Sequence, residues 1–474
     1  MVIGLEVHAQ LLTESKLFCG DPIGFGAEPN TQVSPVSLAH PGTLPVMNKK
    51  VVDLAVRLGL ALNCDINSNT YFARKNYFYP DLPKAYQVSQ HSEPICRGGH
   101  LAVSGDTGTK GILLNRIHIE EDAGKSIHDL EPGFSCIDLN RAGTALLEIV
   151  TEPCLHSSAE AFAFLTELRK LLRWINVCDG NMEEGSMRCD ANISIRHAGQ
   201  TTLGTRVEVK NLNSIRNVKR AIDAEAQRLI GITESNGTII QETRSFDADN
   251  GTTFALRSKE EADDYRYFPE PDLPPFHISA AHIARVKSTM PLLPALWEEK
   301  FRNEYALSGY DASVLCADKA DATFYEELVS QNKLYKASAN WILGPVKAYC
   351  NENNLAIDDF PLPARNLAEL ISLCETGKVS FSAASGKILP AMINNNGGDP
   401  HTMATALNLV QEDSESMVDQ WVRETLAAMP EKVQEYRKGK KALIGLFAGQ
   451  VKKLSNGKAA MPLVNKILEQ HLNQ

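Results

Sequence analysis

The sequence predicts an α+β fold in which a large mixed-sheet cradle domain is followed by an all-α helical domain and a small helical tail domain. The chain has 474 residues, which is more than the roughly 250–300 residues that one hydrophobic core usually serves. Alternation of apolar and polar residues, typical of strands, is confined to the first part of the chain, and helical spacing follows. We therefore predict a cradle domain at 1–289, a helical domain at 290–407 and a basic helical tail at 408–474.

Individual elements can be placed within the cradle domain. Period-2 alternation predicts strands at Val2–Leu12, Arg188–Arg196 and Arg206–Lys210. Ser157 and Glu160 form a Ser-x-x-Glu capping box, which predicts the start of a helix. The apolar residues that follow it at helical spacing are Phe162, Leu165, Leu168, Leu172 and Ile175. A second, more basic helix is predicted at Arg216–Leu229.

The end of the cradle domain is indicated by proline. Tyr267–Phe276 (YFPEPDLPPF) is expected to be irregular, because each proline lacks an N–H donor and restricts the residue before it. Helical spacing follows at Pro291–Tyr305 and Phe324–Cys350, and a Gly/Asn/Pro-rich break lies at Asn394–Pro400. The proline stretch therefore predicts the approach to a domain boundary.

Composition indicates an ordinary globular protein, with 43% hydrophobic and 22% charged residues. The ten cysteines include no Cys-x-x-Cys pair, which favours free thiols in a reducing compartment. The N-terminus has no basic region before an apolar core, and no run of about 18 apolar residues occurs. We therefore expect a cytoplasmic location and no membrane contact.

Charge is unevenly distributed along the chain. The net charge is -10, which by itself argues against a nucleic-acid partner. From position 432 onward, however, the sequence has nine Lys or Arg and only two Glu, which gives this segment a net charge of +7. Such asymmetry is typical of a domain that contacts a polyanion, although a solvated basic helix face would look the same. The lysines that we select as candidate contacts are Lys438, Lys440, Lys441, Lys452 and Lys453.

Carboxylates and a histidine are concentrated around apolar runs. Residues two apart in a strand share a face, so Glu6 and His8 are predicted to project together, either into a site or into solvent. Glu148 lies within the apolar run 146–150 and needs either an exposed face or a cation, because burying an unpaired carboxylate costs several kcal/mol. Mg²⁺ suits hard oxygen ligands and nucleotide phosphates, whereas His8 is a less usual ligand for it.

Other motifs narrow the chemistry. Gly124-Lys125-Ser126 is not a P-loop, because Ile119 stands where the first glycine is required. The segment 74–84 combines cations with aromatic residues, as a phosphate and base pocket would, although a structural loop is equally compatible. The sequence contains neither a Gly-Ser-Ser-Gly-Gly amidase stretch nor a nucleophile elbow. We therefore expect that this chain has no amidase activity of its own.

Seven ordered blocks, spread from the N-terminus to position 275, closely resemble the aminoacyl-tRNA-activating B subunit of the heterotrimeric Glu-tRNA(Gln)/Asp-tRNA(Asn) amidotransferases. They are VIGLEVHAQL, RKNYFYPDLPKAYQ, EEDAGKS, DLNRAGTALLEIVTEP, MEEGSMRCDANIS, EVKNLNS and DDYRYFPEPDLPP. The resemblance covers essentially the whole chain. It implies a cradle with a kinase-like activation site, a helical domain and a tRNA-contacting tail.

The resemblance also implies an activity and partners. The implied reaction is ATP-dependent phosphorylation of glutamate or aspartate on misacylated tRNA(Gln) or tRNA(Asn), followed by displacement of phosphate by ammonia. The implied partners are an amidase subunit that supplies the ammonia, a small third subunit and tRNA. The implied cofactors are ATP and Mg²⁺. The tail lysines selected above become the expected tRNA contacts.

Site residues are transferred only where the motifs match. Glu6, His8, Glu121 and Glu148 match the catalytic, metal-binding positions. The residues that fall in blocks resembling the nucleotide and acceptor-end pocket are Lys75, Tyr77, Tyr79, Ser186, Arg188 and Asp190. Many relatives carry a cysteine zinc site in the stretch corresponding to 17–41, where this chain has only Cys19, so structural zinc is predicted to be absent.

Two alternatives stay open at this stage. One is a non-catalytic, tRNA-binding scaffold of the same complex, and the other is a free-standing ligase that acts on a small carboxylic acid and turns over ATP without tRNA. The sequence does not decide whether Glu-tRNA(Gln), Asp-tRNA(Asn) or both are substrates. The sequence begins directly at the first predicted strand, so whether a few residues precede it is also an open question.

Overall fold

A computed structural model describes residues 1–473 except 106–107, 129, 259–264, 396, 412–413 and 456–457, and omits the side chains of 211, 257 and 258. The chain divides into two compact units, Met1–Leu293 and Pro294–Gln474. The first two residues of the DDYRYFPEPDLPP block lie outside the described residues. The predicted subdivision of the second unit at position 408 stays a prediction.

The first unit is a mixed α/β unit built on one large sheet. Its strands within the described residues are β1 (Val2–Gln10), β2 (Asp65–Ile66), β3 (Asn69–Thr70), β4 (Ala73–Asn76), β5 (Tyr86–Ser89), β6 (Cys96–Arg97), β7 (His100–Gly105), β8 (Gly108–Glu121), β9 (Lys125–Ile127), β10 (Cys136–Asp138), β11 (Ala145–Thr151), β12 (Met187–Ser194), β13 (Val207–Leu212), β14 (Glu242–Asp247), β15 (Thr252–Ser258), β16 (Phe268–Pro269) and β17 (Phe276–His277). Its helices are α1 (Lys49–Ala61), α2 (Ser158–Trp174), α3 (Ile215–Glu234) and α4 (Ala280–Ser288).

The large sheet brings together strands that are far apart in sequence. Its order is β15-β14-β13-β12-β1-β11-β8-β6-β2, with β7 paired to β8. Neighbouring strands are antiparallel except β13 and β14, which are parallel. Because β1 lies between β11 and β12, polar side chains from three sequence regions meet at the middle of the sheet.

The alternation that predicted β1 is present in the structure. Its odd-numbered apolar residues are buried and its polar residues Glu6, His8 and Gln10 are half-buried. Helix α2 is capped as predicted, since the Ser157 side chain accepts from the Glu160 amide. Phe162 is 42% exposed, however, and Phe164 takes its place in the buried stripe. The predicted basic helix is α3, which begins earlier and ends later than the prediction.

The proline stretch is part of the first unit and not a loose linker. Strand β16 pairs with β4, and β17 pairs with β3. The buried Glu270 accepts two hydrogen bonds from the Arg74 guanidinium, at 2.7 and 2.8 Å. Prolines at the ends of very short strands leave this pairing intact, because they need no ladder donor there.

The second unit is helical. Its α-helices within the described residues are α5 (Pro294–Asn303), α6 (Gly309–Leu315), α7 (Lys319–Asn332), α8 (Tyr335–Trp341), α9 (Lys347–Glu352), α10 (Ala364–Glu375), α11 (Phe381–Ala383), α12 (Leu389–Asn394), α13 (Pro400–Ala406), α14 (Glu415–Ala428), α15 (Pro430–Arg437), α16 (Ile444–Leu454) and α17 (Met461–Leu472). Helices α14, α16 and α17 share a hydrophobic cluster that includes Val422, Phe447 and Leu468. Among the described residues, none of the helices combines the length and apolar character that a membrane span requires.

Candidate active site at the centre of the sheet

Four neighbouring strands align polar residues in one row across the sheet. His8 of β1 lies directly opposite Arg188 of β12 on one side and Glu148 of β11 on the other. Glu148 in turn lies opposite His118 of β8. Directly opposed residues in an antiparallel sheet project to the same face. The register therefore places a guanidinium, two imidazoles and a carboxylate side by side.

The core of the candidate site is formed by His8, Glu120 and Glu148, whose ligand atoms lie within 4.8 Å of one another. His8 Nε2 is 3.6 Å from Glu148 Oε2 and 3.9 Å from Glu120 Oε2. His118 Nε2 approaches both carboxylates more closely, at 2.9 Å from Glu148 and 3.0 Å from Glu120. We call His8, Glu120 and Glu148 the first carboxylate cluster.

The buried charges of this cluster depend on one another. Burial alone would raise the pKa of Glu148, but the imidazoles of His118 and His8 outweigh burial and hold that pKa well below its usual value. Burial likewise opposes the charge on His118, yet Glu148 and Glu120 raise the pKa of His118 to about 9. The imidazoles thus offset part of the cost of burying two neighbouring carboxylates, and Glu148 does not take the exposed face that the sequence had left open.

A second carboxylate cluster, Glu6, Asp190 and Glu208, lies on the neighbouring strands β1, β12 and β13. The Lys210 ammonium lies 2.5 Å from Asp190 Oδ2 and 3.4 Å from Glu208 Oε1. Asn192 Nδ2 donates to Glu6 Oε1 at 2.8 Å. Burial, then the charges of Glu148 and Glu208, raise the pKa of Glu6. Glu6 therefore belongs to this second carboxylate cluster, whereas His8 belongs to the first.

Glu121, which the motif match selected, lies outside both clusters. Its carboxylate forms a close ion pair with Lys84 and accepts from the Val88 amide at 2.8 Å. Successive strand residues alternate faces, so Glu120, two residues after His118, shares the face of the first cluster. The alternation of faces along residues 118–121 is the sequence signal that would have identified Glu120, rather than Glu121, as a site residue.

Lys75 lies beside the first carboxylate cluster. Its Nζ lies 5.9 Å from the centroid of the Tyr77 ring and 4.9 Å from that of Tyr265. Among the described residues, none of the carboxylates is within ion-pair distance of it. Burial disfavours its charge, but the more distant Glu120 and Glu148 outweigh burial and raise the pKa of Lys75.

Four tyrosines on the Lys75 side of the site, Tyr77, Tyr79, Tyr265 and Tyr267, form what we call the aromatic wall. Tyr77 contacts Tyr79 and Tyr265 edge to face, with ring centroids 5.8 and 6.1 Å apart. Tyr267 stacks on His91 at 4.1 Å. Tyr79 is 46% exposed, so one end of the wall faces solvent. The sequence motifs selected Tyr77 and Tyr79, whereas Tyr265 and Tyr267 reach the site only because the proline stretch folds back onto β4.

Arg188 and Ser186 hold the β12 side of the site in place. The Arg188 guanidinium donates to Asp122 Oδ1 at 2.9 Å, and Gln10 Nε2 donates to the other oxygen of Asp122 at 2.9 Å. The carbonyl of Ser186, which is buried, accepts from the Gln10 amide at 2.7 Å. Arg188 is thus oriented by a buried carboxylate, while Ser186 contributes a backbone contact.

Gly124-Lys125-Ser126 does not begin a helix. Lys125 and Ser126 belong to β9, which pairs with β10. The Ser126 hydroxyl donates to Asp81 at 3.2 Å. A P-loop needs a helix N-terminus directly after the glycine-rich turn, so this segment is not a P-loop.

A carboxylate-centred network organises the loop in which zinc was predicted to be absent. Asp21 Oδ2 accepts from the Ser34 amide at 2.9 Å and, over a short distance, from the Ser37 hydroxyl. The buried Lys16 ammonium lies 4.0 Å from the same oxygen. Cys19 Sγ is 3.6 Å from the Ser37 hydroxyl. The side chains of this loop therefore bind one another. Cys19 and Asp21 offer one sulfur and one carboxylate ligand, whereas structural zinc takes four ligands, mostly Cys and His.

We expect Asp21→Ala to loosen this loop. The change removes the acceptor of two hydrogen bonds and leaves a buried ammonium without its carboxylate, at a cost of about 1–3 kcal/mol. Hydrogen exchange of peptides covering 17–48 should therefore become about 5- to 150-fold faster, whereas the exposed control Asp249→Asn should leave exchange unchanged. A zinc chelator should not alter exchange in the wild type, and faster exchange on chelation would contradict the predicted absence of zinc.

The five selected tail lysines are all exposed. Lys440 pairs with Glu435 at 3.0 Å, and Lys441 lies over the Tyr436 ring at 4.1 Å. Lys452 and Lys453 are in the last turn of α16, where positive charge also favours the helix dipole. The structure therefore leaves these lysines accessible to an anionic partner. For Lys452 and Lys453, stabilisation of the C-terminus of α16 is a second explanation of their positive charge.

Comparison with known proteins gives a consistent result over the whole chain. Residues 1–284 match the family model described as the GatB/GatE catalytic domain, and residues 323–472 match the model described as the GatB domain. The aspartyl/glutamyl-tRNA(Asn/Gln) amidotransferase B subunit of Halorhodospira halophila is 47% identical over 474 residues, 100% of this chain and 98% of the relative. The protein of the same name from Myxococcus xanthus is 45% identical over 471 residues, 99% of this chain and 98% of the relative. The chain therefore belongs to the B-subunit family of the aspartyl/glutamyl-tRNA(Asn/Gln) amidotransferases.

Proposed function

We propose that this chain is the ATP-dependent activating subunit of a tRNA-dependent amidotransferase. It phosphorylates the side-chain carboxylate of glutamate or aspartate on misacylated tRNA(Gln) or tRNA(Asn), so that ammonia can form the amide. The observation that carries the proposal is the first carboxylate cluster, buried in the sheet beside Lys75 and its aromatic wall. A scaffold that only binds tRNA has no need of such a site.

The residues of this cluster fit a hard divalent cation. Two carboxylates and an imidazole, held apart by 3.6 and 3.9 Å, offer mainly oxygen ligands. His8, Glu120 and Glu148 would hold Mg²⁺ there, and Glu6, Asp190 and Glu208 offer a second group of ligands. When bound, the cation neutralises charge that accumulates on the transferring phosphoryl group.

Lys75 and its neighbours would bind the nucleotide phosphates and the acceptor end of the tRNA. A lysine without an ion pair among the described residues can give its charge to a phosphate without first breaking a salt bridge. Arg188 is already oriented by Asp122 and so adds a positive charge at a fixed place. Tyr77 and Tyr79 offer ring faces on which a base can stack, a contact worth about 1–3 kcal/mol per base.

The reaction needs two displacements. The aminoacyl carboxylate oxygen attacks the γ-phosphorus of ATP, the bond from that phosphorus to the β,γ-bridging oxygen breaks, and ADP leaves. Ammonia then attacks the activated acyl carbon, the acyl C–O bond breaks, and phosphate leaves while the new amide nitrogen loses a proton. The protein's residues mainly position the two reactants and neutralise their negative charge.

The proposed activity requires partner subunits. The sequence of this chain contains no amidase nucleophile motif, so a separate amidase subunit would supply the ammonia. The family resemblance implies a small third subunit that joins the two. The exposed lysines of the tail would contact phosphates of the tRNA, which fixes its position without reading its sequence. The work of this complex would take place in the cytoplasm, with ATP and Mg²⁺.

The proposal is tested by trapping the activated aminoacyl group. The reconstituted complex is given Glu-tRNA(Gln), Mg-ATP and hydroxylamine without glutamine or ammonium. We expect ADP formation that requires the charged tRNA, together with the γ-hydroxamate of the glutamyl side chain, and neither product with His8→Ala; the α-hydroxamate that hydroxylamine releases from the tRNA ester is separated and not counted. ADP formation without tRNA would favour the free-standing ligase, and unchanged hydroxamate with His8→Ala would remove the site from this cluster.

We expect charge reversal of Lys452 and Lys453 together to weaken tRNA binding and reduce its dependence on salt. Each lost phosphate contact lowers the slope of log K against log salt by about 0.7–0.9, so the double change should lower it by about 1.5. Filter binding between low and physiological salt measures the slope. The control pair Lys49 and Lys50, also exposed and adjacent, should keep the wild-type slope when changed to Glu, and a wild-type slope for both double variants would rule out these tail contacts.

A further inference from the structure

His118 lies within hydrogen-bond distance of both carboxylates of the first carboxylate cluster, although no motif selected it. Its Nε2 is 2.9 Å from Glu148 Oε2 on the adjacent strand and 3.0 Å from Glu120 Oε1 on its own strand. Its side chain is only 5% exposed. The ring therefore touches both oxygen ligands of the proposed cation.

The two histidines at the cluster stand at different distances from these carboxylates. His8 Nε2 is 3.6 and 3.9 Å away, too far for a hydrogen bond. The His8 spacings leave a gap between its imidazole and the carboxylates in which a cation would lie, whereas His118 Nε2 already contacts both carboxylates at hydrogen-bond distances.

The surroundings of His118 Nε2 indicate which role it can have. Among the described residues, His118 Nδ1 is buried without a hydrogen-bond partner, so the ring contacts the cluster through Nε2. Without a proton, Nε2 would direct its lone pair at two carboxylate oxygens, themselves acceptors, at 2.9 and 3.0 Å. With a proton, whether the ring is neutral or charged, Nε2 donates to these oxygens and has no lone pair with which to bind a cation.

We propose that His118 is a positioning residue for the metal, which donates from Nε2 to Glu120 and Glu148 and sets their carboxylates toward His8. Ser89 assists, because its hydroxyl donates to Glu120 Oε1 at 2.7 Å. Hydrogen bonds to ligating carboxylates of this kind usually matter 10- to 100-fold for metal affinity. The inference rests on the proposed function, since it takes the cluster to be the cation site.

Mn²⁺ binding to the full complex tests this role separately from activity. Free Mn²⁺ is measured by electron paramagnetic resonance during titration of wild type, His8→Ala, His118→Leu and His118→Gln. Leucine keeps apolar volume without a donor, and glutamine restores an N–H near the Nε2 position. We expect His118→Leu to weaken Mn²⁺ binding about 10- to 100-fold and His118→Gln to recover most of it. Amidation by His118→Leu with ammonium should show a raised KM for Mg²⁺ and a kcat restored at saturation.

Each other outcome has a distinct meaning. Wild-type Mn²⁺ affinity in His8→Ala would show that the cluster is not the cation site, so the proposed function and this inference would fail together. Loss of binding in His8→Ala with wild-type affinity in His118→Leu would overturn the positioning role alone. Equal, unrescued loss in both His118 variants, with the complex assembled, would make His118 a ligand and also overturn it.

Discussion

Glu148→Gln should abolish amidation, by more than about a thousandfold, even when free ammonium replaces the amidase reaction. Glu148 is 8% exposed and lies between two imidazoles at the centre of the sheet. The change keeps its shape and removes one of two carboxylate charges from the first carboxylate cluster. Loss of about 4 kcal/mol of transition-state stabilisation corresponds to a thousandfold lower rate. The measurement is conversion of Glu-tRNA(Gln) to Gln-tRNA(Gln) with Mg-ATP and ammonium chloride.

Two controls separate loss of the site from loss of the complex. Glu152→Gln makes the same chemical change just past the end of the same strand, where Glu152 accepts from the Asn115 side chain at 2.7 Å. It should keep amidation within about twofold of wild type, since surface changes usually cost under 0.5 kcal/mol. The glutaminase activity of the partner amidase and assembly of the complex should be unchanged in both variants. Persistent amidation in Glu148→Gln would favour the scaffold alternative.

Lys75→Met should reduce kcat/KM for ATP in the same assay by about 100- to 1,000-fold. The substitution keeps an unbranched side chain between Tyr77 and Tyr265 and removes the charge next to the cluster. Positioned cations that neutralise a transferring phosphoryl group contribute about 3–4 kcal/mol. Lys75→Arg keeps the charge on a wider group and should recover only part of the rate.

The matched control for Lys75 is Lys125→Met. Lys125 would bind phosphate if Gly124-Lys125-Ser126 were a P-loop, but it is exposed on β9. Its substitution should therefore leave the KM for ATP within about twofold of wild type. A larger effect at Lys125 than at Lys75 would place the phosphates near β9 and contradict the proposed pocket.

Several features of the fold were determined by local sequence. The alternation of Val2–Leu12 predicted a strand with Glu6 and His8 on one face, and the Ser157–Glu160 box predicted the start of α2. These predictions succeed because side-chain periodicity and capping involve residues within one turn or one pleat of each other. The cost of burying Glu148 left two alternatives, an exposed face or a cation beside it, and in this structure Glu148 is buried between His8 and His118.

The membership of the clusters was decided only by the tertiary structure. Glu120 rather than Glu121 joins His8 because the register of β8 against β11 places His118 opposite Glu148, and alternation then brings Glu120 to the same face. Tyr265 reaches Lys75 because the proline stretch pairs with β4, a contact between segments almost 200 residues apart. The sequence by itself thus determined individual strands such as β1 and identified charges that need partners. The pairing of distant strands decided which partners they obtained, because register is fixed by packing of a whole face and not by any local pattern.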